Sequence, residues 1–91
     1  MIRSFRHRGL AALWGDGSRA GVRPDLVTRI EIRLSRLDQA HEPADMAVPG
    51  FNFHRLRGSP TRYPVHVNGP WCLTFEWVDG DAVRVDLEQY H

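Results

Sequence analysis

The chemistry-bearing residues of this chain fall in two places. The first is His54-Arg55-Leu56-Arg57-Gly58, with Arg62 shortly after it, and the second is the terminal Tyr90-His91. Together they match the needs of a ribonuclease that works without a metal. A base removes the proton of the ribose 2′-hydroxyl, an acid protonates the leaving 5′-oxygen, and a cation holds the charge that grows on the phosphoryl oxygens. An imidazole serves either proton role near neutral pH. Spacing alone leaves a second reading open, because a lone histidine on a strand is commonly structural or simply exposed.

Other chemistries lack their residues. The stretch Gly15-Asp16-Gly17 has neither the lysine nor the preceding strand of a phosphate-binding loop. His7, His41, His54, His66 and His91 are scattered, and none is paired at metal-ligand spacing, so no metal site and no cofactor is expected. Cys72 is the only cysteine, which excludes an internal disulfide and fits a reducing cytoplasm. With no clear histidine partner it reads as a packed or strand-face thiol. No apolar run approaches the ~18 residues of a membrane span. The basic start, Met1-Ile2-Arg3-Ser4-Phe5-Arg6-His7-Arg8, is not followed by the apolar region of a signal peptide.

The elements that must position these groups follow from periodicity. At 91 residues the chain is expected to be one domain, residues 1–91. Ile2 to Phe5 alternates and predicts a short edge strand. Residues 7–14 predict a helix that buries Leu10, Leu13 and Trp14. Pro24 and Asp25 suit the start of a second helix over residues 24–40, with Val27, Ile30, Leu34 and Leu37 on its buried face. Arg29, Arg33 and Arg36 then form an arginine ladder along one edge. It is either a solvated face or a contact to RNA or a partner. Residues 41–50 predict a loop, residues 51–57 a strand, and residues 62–68 a further strand with Tyr63, Val65 and Val67 on one face.

Residues 71–91 predict a hairpin. Leu73, Phe75 and Trp77 share one face, and Val83, Val85 and Leu87 another. A two-residue loop at Asp79-Gly80 would set Phe75 against Arg84, so a three-residue loop at Val78-Asp79-Gly80, with Gly80 left-handed, is expected. The order is β-α-α-β-β-β-β, an α+β plan with a mostly antiparallel sheet and two helices on one face.

Charge is divided along the chain. All twelve basic residues are arginine. Residues 1–36 hold eight of them against three acids, a balance of +5, while residues 37–91 hold four against eight acids, a balance of −4. Arginine binds phosphate with a planar fork and stacks on bases, so the basic half favours an anionic partner.

Several stretches resemble the HigB-like toxins of the RelE superfamily, the plasmid maintenance system killer family. They are Met1-Ile2-Arg3-Ser4-Phe5-Arg6-His7-Arg8-Gly9-Leu10, Phe53-His54-Arg55-Leu56-Arg57-Gly58, Val67-Asn68-Gly69-Pro70-Trp71, and the close running from Asp79-Gly80-Asp81-Ala82 to Tyr90-His91. The resemblance runs nearly end to end. It implies a RelE-like microbial ribonuclease fold and ribosome-dependent, metal-independent cleavage of mRNA. It also implies a cytoplasmic helix-turn-helix antitoxin of the HigA type, through which alone operator DNA would be met. His54, Arg57, Tyr90 and His91 stand at the family's catalytic positions; Arg55 and Arg62, with Arg29, Arg33 and Arg36, are candidate RNA contacts. The chain departs from the family pattern at Cys72, where an arginine is usual, and at Gln89, where some members have an acid. These departures support an alternative, an attenuated member that binds antitoxin or ribosome with little catalysis. A third reading is a basic RNA-binding module outside the toxin family, with binding dominated by the arginine ladder.

Overall fold

The 3.6-residue and two-residue apolar periods of the chain become one helical layer and one sheet. The structure is a computed structural model that describes residues 1–90. The elements are α1 (Arg8–Asp16), α2 (Val27–Gln39), β1 (Tyr63–Asn68), β2 (Trp71–Val78) and β3 (Asp81–Gln89), with short 3-10 turns at Pro24–Leu26 and Pro43–Met46. The three strands pair antiparallel in the order β1-β2-β3. The α+β plan with two helices on the sheet therefore stands.

Val27, Ile30, Leu34 and Leu37 of α2 are no more than 1% exposed. They join Leu10 and Leu13 of α1 and Val65, Val67, Leu73, Phe75 and Val85 of the sheet in one core. Thirteen residues are marginal for an isolated helix, so this packing is what holds α2. His7 caps α1, its Nδ1 accepting the Leu10 backbone N–H at 3.1 Å. Gly9 packs directly on the chain after α1, and a Cβ there would lie 2.2 Å from the Gly21 carbonyl oxygen. That contact turns the buried arc of α1 onto Gly9, Leu10 and Leu13. Trp14 then lies roughly 90° from the arc's centre. It is 37% exposed, not buried as its spacing suggested.

The predicted first strand is reduced to two parallel bridges, Ile2 to Ala82 and Phe5 to Val85, on the outer edge of β3. The predicted strand over residues 51–57 does not form. Positive φ at Gly50 and Asn52 breaks the extended backbone, and a single bridge from Leu56 to Arg62 remains. The segment is instead tied to β1 by the His66 N–H donating to the Phe51 carbonyl at 2.6 Å.

The hairpin register also corrects the expectation. Val78 pairs with Asp81, so the loop has two residues, Asp79 and Gly80, both at positive φ. This is the primed turn that suits strand twist. The clash of faces is avoided by a bulge at Arg84, where φ is +48°. Below the bulge Leu73 faces Leu87; above it Glu76 faces Val83 and Trp77 faces Ala82. Ala82 thus replaces Val83 on the core face. The bulge also frees the Arg84 N–H to reach the Ser4 hydroxyl at 2.9 Å.

Candidate active site

Strand alternation sends one set of side chains to the helices and the other to the opposite face of the sheet. The second set holds Pro64 and His66 of β1, Cys72, Thr74 and Glu76 of β2, and Val83 and Glu88 of β3. It is rich in polar groups, and they are paired. Arg62, at the mouth of β1, donates from Nη1 to Glu76 at 3.0 Å and from Nη2 to Glu88 at 3.1 Å and to the Thr74 hydroxyl. Thr74 in turn donates to Glu88. The second Glu76 oxygen lies 3.5 Å from Arg84 Nε. Glu76 is 5% exposed in its side chain, so its charge is stable there only because these partners surround it.

Beside this network a cavity of about 340 Å³ opens between the sheet and the irregular segment after Phe51. Its less exposed lining is Leu56, Pro64, His66 and Cys72, and its exposed rim is Asn52, His54, Gly69 and Tyr90. Register builds it: the tight turn at Gly69-Pro70 and the register shift between His66 and Asn68 set His66 opposite Cys72. Tyr90 is fixed at the end of β3 by its N–H, which donates to the Pro70 carbonyl at 2.6 Å. Both histidines are oriented by backbone carbonyls. His54 Nδ1 lies 3.0 Å from the Asn52 oxygen, and His66 Nε2 lies 3.1 Å from the Gly69 oxygen. A carbonyl can only accept, so these nitrogens carry the hydrogens, and in the neutral form of each ring the acceptor is Nε2 of His54 and Nδ1 of His66. Burial, and then the Glu88 carboxylate, push the Tyr90 phenol above its ordinary value and do the same to the Cys72 thiol. Both are therefore held in their protonated, hydrogen-donating forms at neutral pH.

The predicted site residues divide. His54 and Tyr90, far apart in sequence, meet at one cavity. Arg55 and Arg57 are exposed and line an adjoining depression of about 300 Å³ with Leu56, Gly58 and Thr61. Arg62 is committed to Glu76 and Glu88, which gives it a structural role. The arginine ladder is not continuous. Arg33 is 9% exposed, donates to the His66 carbonyl at 2.7 Å and the Arg29 carbonyl at 3.0 Å, and covers the Phe51 ring at 4.5 Å. Desolvation, and then the nearby Arg29 charge, lower its pKa. Arg29 and Arg36 remain exposed. His91 lies outside the described residues. Among the described residues no three His, Cys, Asp or Glu side chains gather as metal ligands. In the sequence His66 stands only among the scattered histidines; pairing the two strands around the Asn68-Gly69-Pro70 turn is the signal that places it beside Cys72.

A family model described as a RelE-like toxin of type II toxin-antitoxin system HigB matches residues 3–91. The chain is similar to endoribonuclease HigB of Proteus vulgaris, 36% identical over 92 residues that span all of both chains. It is also similar to toxin HigB-1 of Vibrio cholerae serotype O1, 29% identical over 93 residues, covering 99% of this chain and 98% of that one.

Proposed function

The chain belongs to the RelE-like HigB toxins of type II toxin–antitoxin systems, and from that premise we propose that it is an endoribonuclease that cleaves mRNA on the ribosome. The observation that carries this reading is the meeting of His54 and Tyr90 at one cavity on the face of the sheet opposite the helices. His54 offers a bare Nε2 to a ribose hydroxyl or a leaving oxygen. Tyr90 keeps its phenolic proton and donates it to a phosphoryl oxygen. Arg57 and Arg55, in the adjoining depression, supply the cations for the phosphate backbone. His91 follows Tyr90 directly in sequence and completes the proton-transfer set. This division of labour asks no metal to activate a nucleophile, because the 2′-hydroxyl of the substrate is the nucleophile.

Membership of a toxin–antitoxin family brings an antitoxin as partner. We infer that it is a helix-turn-helix protein of the HigA type, that operator DNA is met only through it, and that the toxin acts in the cytoplasm on ribosome and mRNA. Among the described residues no helix is long and apolar enough to cross a membrane.

Induced expression is expected to arrest growth and to generate new 5′ ends within translated mRNAs, mapped by primer extension. His54→Ala and His91→Ala are expected to relieve both effects; variants as toxic as the parent would overturn the site. One observation favours a second reading, an attenuated toxin: among the described residues the cavity lining holds Cys72 and no arginine or lysine. Cys72→Arg decides between them. A large gain in cleavage marks the natural chain as attenuated, and an unchanged or lower rate means that Arg57 and Arg55 suffice.

A further inference from the structure

His66 takes no part in the proton transfers proposed above, yet it lines the same cavity as His54 and Tyr90. It lies on β1 in the less exposed lining of the cavity, and two bonds hold its backbone: its N–H donates to Phe51 and its carbonyl accepts from Arg33. The ring is held by the Gly69 carbonyl at Nε2. Among the described residues no buried side-chain nitrogen or oxygen lacks a partner. Nδ1 of His66 has no hydrogen-bond partner among the described residues, so it is at least partly open to solvent, on a residue that lines the cavity.

The lining indicates what kind of group would meet that nitrogen. Leu56 and Pro64 are apolar, Cys72 is a neutral thiol, and among the described residues no arginine or lysine reaches in. Such a surface disfavours a phosphate, which is better served by Arg55 and Arg57 next door. It suits a neutral planar group that is apolar on its faces and polar at its edge. An unstacked RNA base has this character, and proteins read such bases by stacking and by hydrogen bonds to their edges. The volume, about 340 Å³, lies in the range of small-ligand sites.

We propose that this cavity receives one RNA base and that His66 Nδ1 accepts a hydrogen bond from its exocyclic amino group, which makes His66 a specificity-determining residue. The inference rests on the ribonuclease reading and names the class of base that site prefers, one with an exocyclic amino group. With the base on the His66 side, its ribose and phosphate lie at the rim beside His54 and Tyr90, and the next phosphate lies toward Arg57. Cytosine carries an amino group at the position where uracil carries a carbonyl oxygen, so the pair isolates the contact. Uracil would set lone pair against lone pair.

The test is binding of the non-cleavable 2′-deoxy trinucleotides of cytosine and of uracil to the full chain, followed by NMR. The cytosine trinucleotide is expected to bind about tenfold tighter, the size of one good hydrogen bond and one avoided mismatch. The His66 Nδ1 resonance should move with cytosine and stay still with uracil. His66→Phe, which has no acceptor, should bring the affinity ratio close to 1. His66→Asn, which keeps an amide for Gly69 and an oxygen acceptor, should retain a preference for cytosine. Equal binding of the two trinucleotides by the parent chain, no binding of either, or an unchanged ratio in His66→Phe would each overturn the proposal. Because the ratio is read within one protein, a general loss of stability does not imitate the expected result. Failure of the ribonuclease reading looks different: translated mRNA would stay intact while the cytosine preference persisted.

Discussion

Arg62, Tyr90 and Cys72 lie on the side of the sheet opposite the helices, and physical chemistry separates their roles. Arg62 is a cation near a proposed RNA site, but its guanidinium neutralises two carboxylates, one of them nearly buried. Arg62→Ala is expected to cost roughly 3 kcal/mol in chemical denaturation. Most of that loss arises at Glu76, since Glu88 is a third exposed and screened. A denaturation midpoint equal to the parent's would contradict the structural role. Tyr90 and Cys72 share the opposite property: both hold their protons more tightly when folded. Between the unfolded and folded pKa values the native state binds more protons than the unfolded chain, so their contribution to stability falls as pH rises through that window. The accessible check is kinetic. Cys72 is expected to react with a disulfide reagent with a pH midpoint above that of a free thiol, and a midpoint at or below it would refute the assigned environment.

At the scale of elements, two backbone features carry the architecture. The approach of Gly9 to Gly21 leaves no room for a methyl group. Gly9→Ala is expected to lower stability by about 1–3 kcal/mol, the usual penalty of overpacking, with a matching fall in thermal midpoint. The Arg84 bulge holds a non-glycine residue at positive φ. Arg84→Gly relieves that conformation and is expected to leave stability equal or raised by up to about 1 kcal/mol, despite the loss of the exposed contact to Glu76. A marked loss in the same denaturation series would show that the side chain, not the turn of the chain, holds the bulge. These features also explain what periodicity conveyed and what it missed. The buried stripe of α2 was legible because Val27, Ile30, Leu34 and Leu37 repeat with the helix. The bulge was not, because alternation assumes an unbroken ladder, and one extra residue at Arg84 moves Val83 to the other face. The segment after Gly50 alternates like a strand but turns at Asn52, and a tertiary bond from His66 fixes it.

At the scale of the whole molecule, the helices cover one face of the sheet, and the other carries the ion-pair network of Arg62 and the cavity beside it. His54, Arg57 and Tyr90 could be named from the chain because they sit in recognisable motifs. That they share one surface, while Arg62 and Arg33 serve the fold, is a consequence of strand register and burial that no local pattern records. The charge division places the exposed Arg29 and Arg36 on α2, away from that surface. Their replacement by glutamine is expected to change ribosome or partner binding with little effect on the chemical step.

The central claim, that His54 and Tyr90 form one RNA-cleaving site, is tested most directly with purified protein and ribosomes programmed with a defined mRNA. The parent chain is expected to cut at the programmed codon, and His54→Ala and Tyr90→Phe are each expected to slow single-turnover cleavage about 100-fold while remaining folded. Cleavage by either variant at the parent's rate would contradict the account.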